Sequence, residues 1–179
     1  MREVNNNPIF NLSDIEKRFK VEQHRLIHLC EKGVIIPDFE NSAGRGTMRR
    51  FSERNLFEFA VALELRRYQL PLAFITPIIR ILGSFETYVA KELDMFSLPR
   101  SLQDKAAARL RIIIAHGSDL SFALNTGKHE TFLGAINLDS IGVGKKVSLS
   151  GVRKSSEDPR SDATSFVEID LNMIARSLI

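Results

Sequence analysis

The stretch FENSAGRGTMRRFSERN, residues 39–55, decides how the N-terminal half is read. It holds Arg45, Arg49 and Arg50 and has no acid between Asn41 and Ser52. Gly44 and Gly46 free its backbone to bend and to approach another molecule closely. Ser52 then offers a helix N-cap ahead of residues with helical spacing. A basic loop in this position is either a solvated connection or a wing that touches nucleic acid, and the flanking elements bear on the choice.

Upstream, LSDIEKRFKV predicts a helix, with Ser13 and Glu16 at the capping-box spacing and Ile15 and Phe19 on one apolar face. EQHRLIHLCEK predicts a second helix over about 22–32, facing Leu26, Leu29 and Cys30 to a core and ending at Gly33. So short a link between two helices makes a helix-turn-helix candidate. VIIP (34–37) reads as a short strand and MRRF (48–51) as its return, with ENSAGRG at the tip.

Downstream, Ser52 caps a helix over about 53–68, with Leu56, Ala60 and Leu63 on one face and Phe57 and Val61 widening it. Pro71 suits the first turn of another helix, and Pro77 predicts a break near Thr76. FETYVAKELDMF (85–96) is a further helix with Phe85, Val89 and Leu93 in a stripe that either packs on its own domain or pairs two subunits. Ser101 and Asp104 are set to cap a short helix in LQDKAAAR. From about residue 109 the pattern turns to strands. LRIIIA and LSFAL flank HGSD as a hairpin, ETFLGAINL, KKVSLSGV and SFVEIDL follow, and NMIARSLI reads as a terminal helix.

The 179 residues are 44% hydrophobic and 26% charged, as in a soluble globular protein. The longest apolar stretch, LPLAFITPIIRIL, carries two prolines and an arginine, so no membrane span is expected. The N-terminus lacks the apolar core of a signal peptide, and Cys30 is the only cysteine, so a cytoplasmic protein is expected. The net charge of +3 is too small to point to nucleic acid unless the charge is clustered.

The order of these elements resembles the DNA-binding domain of MerR-type transcriptional regulators over about residues 10–82. LSDIEKRFKV stands at that family's first helix and turn, and CEKGVIIP at the end of its recognition helix and the step into the wing. RRFSERNL resembles the wing return and capped helix, and LELRRYQLPLAFITPIIRIL the two helices beyond. The resemblance implies a mainly α winged helix-turn-helix domain at 10–83, and the strand pattern beyond it gives a smaller mixed α+β domain at 109–179. The segment 84–108 would be a helical connector and candidate dimerisation segment. It also implies double-stranded DNA as partner, a homodimer, and a C-terminal domain that senses a small-molecule or protein effector or makes other contacts. The family's second helix usually carries an Arg, two aromatics and a Glu where this chain has Ile27, His28, Leu29 and Cys30. Arg25 and His28 are then the residues left to substitute for that grip.

In this arrangement Lys17, Arg18, Lys20, Arg45, Arg49 and Arg50 are the candidate phosphate contacts, which set affinity and salt dependence. Gln23, His24, Arg25 and His28 are the candidate base readers, since Arg pairs with guanine and Gln with adenine. His24, His28 and Glu31 lie on one helical stripe, but zinc needs about four ligands, so no metal and no other cofactor is expected. Cys30 reads as a small core residue. HGSD groups His116, Ser118 and Asp119 in one turn, whereas triad members meet from separate elements. GVGKKVS is not a phosphate loop, because Asp139 and Lys146 stand where the motif needs Gly and Ser or Thr. No catalytic residues are assigned and no enzyme is expected. The competing reading is a protein-binding adaptor that kept the winged fold and lost much of its DNA grip.

Overall fold

The structure, a computed structural model, describes residues 9–39, 49–104, 108–115, 119–126, 131–137, 150–155, 160 and 163–179. The segment expected to be a wing tip, with Gly44, Arg45 and Gly46, the expected turn at 116–118 and the glycine segment 142–148 lie outside them. The chain forms two compact units, Met1–Leu72 and Ala73–Ile179, so the second is the longer. Helices fill the first, and the second combines helices with an antiparallel sheet.

In the first unit, α1 (Leu12–Phe19) is capped by Asn11 and not by Ser13. Asn11 Oδ1 accepts from the Asp14 amide at 3.1 Å, and Asp14 Oδ2 accepts from the Asn11 amide at 2.9 Å. A cap must sit in extended backbone, as Asn11 does, and Ser13 is already inside the helix. Lys20, at φ 53°, ends α1, and α2 (Gln23–Glu31) starts after only Lys20, Val21 and Glu22. Ile15, Leu26 and Leu29 are buried, while Cys30 is half-buried.

Gly33, at φ +66°, closes α2. Its amide donates to the Cys30 carbonyl at 2.9 Å, and the Val34 amide reaches the Leu29 carbonyl at 2.9 Å, the paired bonds of a Schellman end. The Ile35 amide also turns to Leu29 O, at 3.3 Å. This corrects the strand expected at VIIP. Those amides serve the helix end and are not free for a ladder, while Val34 and Ile35 bury their side chains. Among the described residues of this unit, strand-like pairing consists of two isolated antiparallel bridges, Phe39 with Arg50 and Phe51 with Phe10.

α3 (Glu53–Arg67) starts at Ser52 as expected, with Asn55 completing the capping box. Its buried residues Leu56, Phe57, Phe59, Val61, Ala62 and Leu65 wrap much of its circumference, a wider surface than the face expected from Leu56, Ala60 and Leu63. Phe51 packs edge-on against Phe59, with ring centroids 5.2 Å apart.

The break expected near Thr76 is absent, because α4 (Leu72–Glu92) runs through Pro77 and through position 85, where a separate helix was expected. Pro77 removes one bond, to the carbonyl of Ala73, and Ala73 is exposed to water that can take its place. α4 is 21 residues long and apolar enough to cross a membrane, which the composition of this stretch did not suggest. The core helix of a domain meets the same test, and α4 buries Ile75, Ile78, Ile79, Ile81, Leu82, Phe85 and Val89. α5 (Arg100–Gln103) is a single turn. The helix expected to 109 stops there because Ala108 and Arg109 already belong to a strand.

The sheet contains β1 (Ala108–Ala115), β2 (Asp119–Thr126), β3 (Thr131–Asn137), β4 (Ser150–Lys154) and β5 (Phe166–Asp170), in the order β4-β3-β2-β1-β5. All pairs are antiparallel, and Ala115 opposite Asp119 closes the expected hairpin. Leu110, Ile112, Phe122, Leu124 and Phe132 are buried on one face, where Phe85 of α4 stacks on Phe122 at 5.7 Å. On the other face, Arg111 pairs with Glu168 at 3.4 Å and Arg109 with Asp170 at 3.1 Å, beside a small cluster of Ile113, Ala123 and Leu133. α6 (Leu171–Arg176) is capped by Asp170. Buried Asn172 accepts from the Leu110 amide at 2.8 Å and donates to the carbonyls of Ala108 at 2.7 Å and Leu102 at 3.0 Å. That one carboxamide fastens α5, β1 and α6 together.

Candidate nucleic-acid interface

α2 buries Leu26 and Leu29 and exposes Gln23, His24, Arg25 and His28, so one helix separates core from surface by spacing alone. Lys17 and Arg18 near the end of α1, and Lys20 in the turn, lie beside it in sequence; Lys17 and Lys20 keep their charges toward water. Arg50 is exposed and Arg49 half-buried, and Arg45 lies outside the described residues. Lys17, Lys20, Arg25, Arg49 and Arg50 form no ion pair among the described residues. Glu22 and Glu31 are exposed on the same helix and its cap, so the field there is mixed. His24 Nδ1 lies 3.5 Å from Glu22, but both side chains are about three-quarters exposed (75% and 76%), where such a pair contributes little.

At the four positions that depart from the MerR-type pattern, Leu29 is buried, Ile27 and Cys30 are half-buried, and only His28 is exposed. They do not form an exposed apolar surface. Among the described residues of this unit, the large apolar side chains that are exposed are Ile9, Ile36 and Phe39 near the bridges, and Tyr68 after α3. No group of three His, Cys, Asp or Glu side chains is arranged to hold a metal among the described residues.

The segment from Phe39 to Phe51 has a built neck. Asn55, at 1% exposure, accepts through Oδ1 from the Asp38 amide at 2.9 Å and from the Ser52 amide at 3.4 Å. Its Nδ2 donates to the Ile36 carbonyl at 2.9 Å and to Glu58 Oε2 at 3.1 Å. The Ser52 hydroxyl donates to Asp38 Oδ2. Above this, the Phe39 and Arg50 amides donate to each other's carbonyls at 3.4 and 3.3 Å. Arg54 Nε reaches Glu58 Oε1 at 3.2 Å. Burial nonetheless pushes the Glu58 carboxyl above its ordinary range, and the nearby Arg54 only partly offsets it.

Ser52 as the cap of α3 was visible in sequence. The bonds from Asn55 to Ile36 and Asp38 were not, because nothing local marks a partner some 17 or 19 residues away. No protein-family model matches the chain, and no curated protein matches it.

Proposed function

We propose that this chain is a sequence-specific, double-stranded-DNA-binding transcriptional regulator of MerR-like type. Its first unit acts as a winged helix-turn-helix, with α2 in the major groove and the arginine-bearing segment after Phe39 on the phosphates. One observation carries the reading. α2 keeps its leucines in the core and leaves Gln23, His24, Arg25 and His28 exposed, while Arg49 and Arg50 sit above a fixed neck. Arg25 and Gln23 supply base-edge donors and acceptors, and Lys17, Arg18, Lys20, Arg45, Arg49 and Arg50 supply charge for phosphates. The protein works in the cytoplasm as a homodimer, and the second unit receives an effector or partner. Phe85 and Val89 of the stripe considered for subunit pairing are themselves buried, which favours its packing within its own chain.

Fluorescence anisotropy over a salt series tests this reading, with Arg49→Ala/Arg50→Ala beside wild type. Wild-type affinity falls with salt. The double variant binds more weakly, with a slope shallower by about one for each phosphate it no longer neutralises. Wild type without salt-dependent binding, or a double variant indistinguishable from it, overturns the proposal. A protein-binding adaptor is the second reading, favoured by the exposure of Ile9 at 51%, Ile36 at 55% and Phe39 at 41% beside the neck.

A further inference from the structure

We propose that Asn55 is the positioning residue of the basic segment: its carboxamide holds both stems and so fixes where Arg49 and Arg50 stand. The inference rests on the DNA-binding reading for its functional consequence, and on geometry alone for the clamp itself. A loop that leaves at Phe39 and returns at Phe51 has two independent stems, and each must be tied down if its arginines are to meet phosphates in a set register. The outgoing stem gives Asn55 an amide, from Asp38, and a carbonyl, from Ile36. The returning stem gives it the Ser52 amide. Ser52 and Asp38 then join the stems directly through hydroxyl and carboxylate.

The clamp has firm support below. Asn55 stands in the first turn of α3 beside fully buried Leu56 and Phe57, and Phe51 is fixed against Phe59. No other uncharged polar side chain in the first unit is buried among the described residues. A capping role alone needs only the exchange between Ser52 and Asn55, so the bonds to Ile36 and Asp38 are surplus to the helix end. They serve the loop. Ordering the stems before DNA arrives reduces what binding must spend on immobilising the arginines.

The test uses the full chain with Asn55→Ala and two readouts. By hydrogen exchange, the Asp38, Phe39, Arg50 and Ser52 amides exchange about tenfold faster or more in the variant, while amides in the middle of α3 keep their protection. Unchanged exchange at the neck overturns the clamp. By DNA anisotropy, Asn55→Ala weakens binding and flattens the salt slope in the wild-type background but adds little in the Arg49→Ala/Arg50→Ala background. Equal losses in both backgrounds mean that Asn55 acts through general stability, and the positioning role is overturned. If wild type shows no salt-dependent DNA binding, the functional reading fails by itself and hydrogen exchange decides the clamp. Should Asn55→Ala lose its helical signal, Asn55→Ser carries the same readouts. Its hydroxyl is too short to bond both Ile36 and Asp38, so the same shifts support the clamp and unchanged exchange at the neck overturns it.

Discussion

Glu58 places a carboxyl where its side chain is 13% exposed, with Arg54 and Asn55 as its polar partners and Asp38 as a nearby like charge. Burial outweighs these partners and holds its pKa above the ordinary 4.5. A carboxyl raised in the folded state binds its proton more tightly there than in the unfolded chain. The stability this contributes is complete below 4.5 and is lost as pH rises through the folded value. Glu58→Gln keeps an oxygen to accept from Asn55 and never ionises. Its melting midpoint should therefore gain on wild type as pH rises from 4.5 toward neutrality, and the two should converge on the acid side. Thermal melts of both proteins across that range check this. A constant gap would show that burial and the Arg54 pair cancel, and one that widens in acid would show that the pair outweighs burial.

The end of α2 turns on one backbone conformation. Gly33 has φ +66°, and a Cβ added there would meet no atom within 4 Å, so a substitution costs only backbone strain. Gly33→Ala should lose about 1–2 kcal/mol, Gly33→Asn less, and Gly33→Val more than alanine, in denaturant titrations. Equal effects for all three would mean that the Schellman end relaxes into another conformation. Elements marked by such local chemistry were legible in the sequence: Gly33 and Ser52 set helix ends, and alternation marked β1, β2 and β5. Elements decided elsewhere were not. Val34 and Ile35 look like a strand until the Leu29 carbonyl takes their amides. The alanines before Arg109 favour a helix by propensity, yet Ala108 pairs with Thr126 and its carbonyl is taken by Asn172. The candidate site divides in the same way: the exposed face of α2 follows from helical spacing, whereas the Asn55 clamp depends on bonds between distant residues.

Each unit is pinned by one buried asparagine, Asn55 in the first and Asn172 in the second, and these are the buried polar residues among those described. The chain has no tryptophan and two tyrosines, Tyr68 in the first unit and Tyr88 in the second. Tyr68→Phe and Tyr88→Phe backgrounds therefore give each unit its own fluorescence reporter. Asn172→Ala strands the Leu110 amide and the Leu102 carbonyl in the interior, which should cost about 2–4 kcal/mol. Asn55→Ala frees the part-buried Asp38 amide and Ile36 carbonyl, which lie nearer water, and should cost less, about 1–2 kcal/mol. In denaturant titrations Asn55→Ala should move the transition reported by Tyr68 more than that reported by Tyr88, and Asn172→Ala the reverse. The contrast follows because, among the described residues, each carboxamide bonds within its own unit. If each substitution shifted both reporters equally, the two cores would be melting as one, and a DNA-contacting unit joined to a separable effector unit would lose its physical basis.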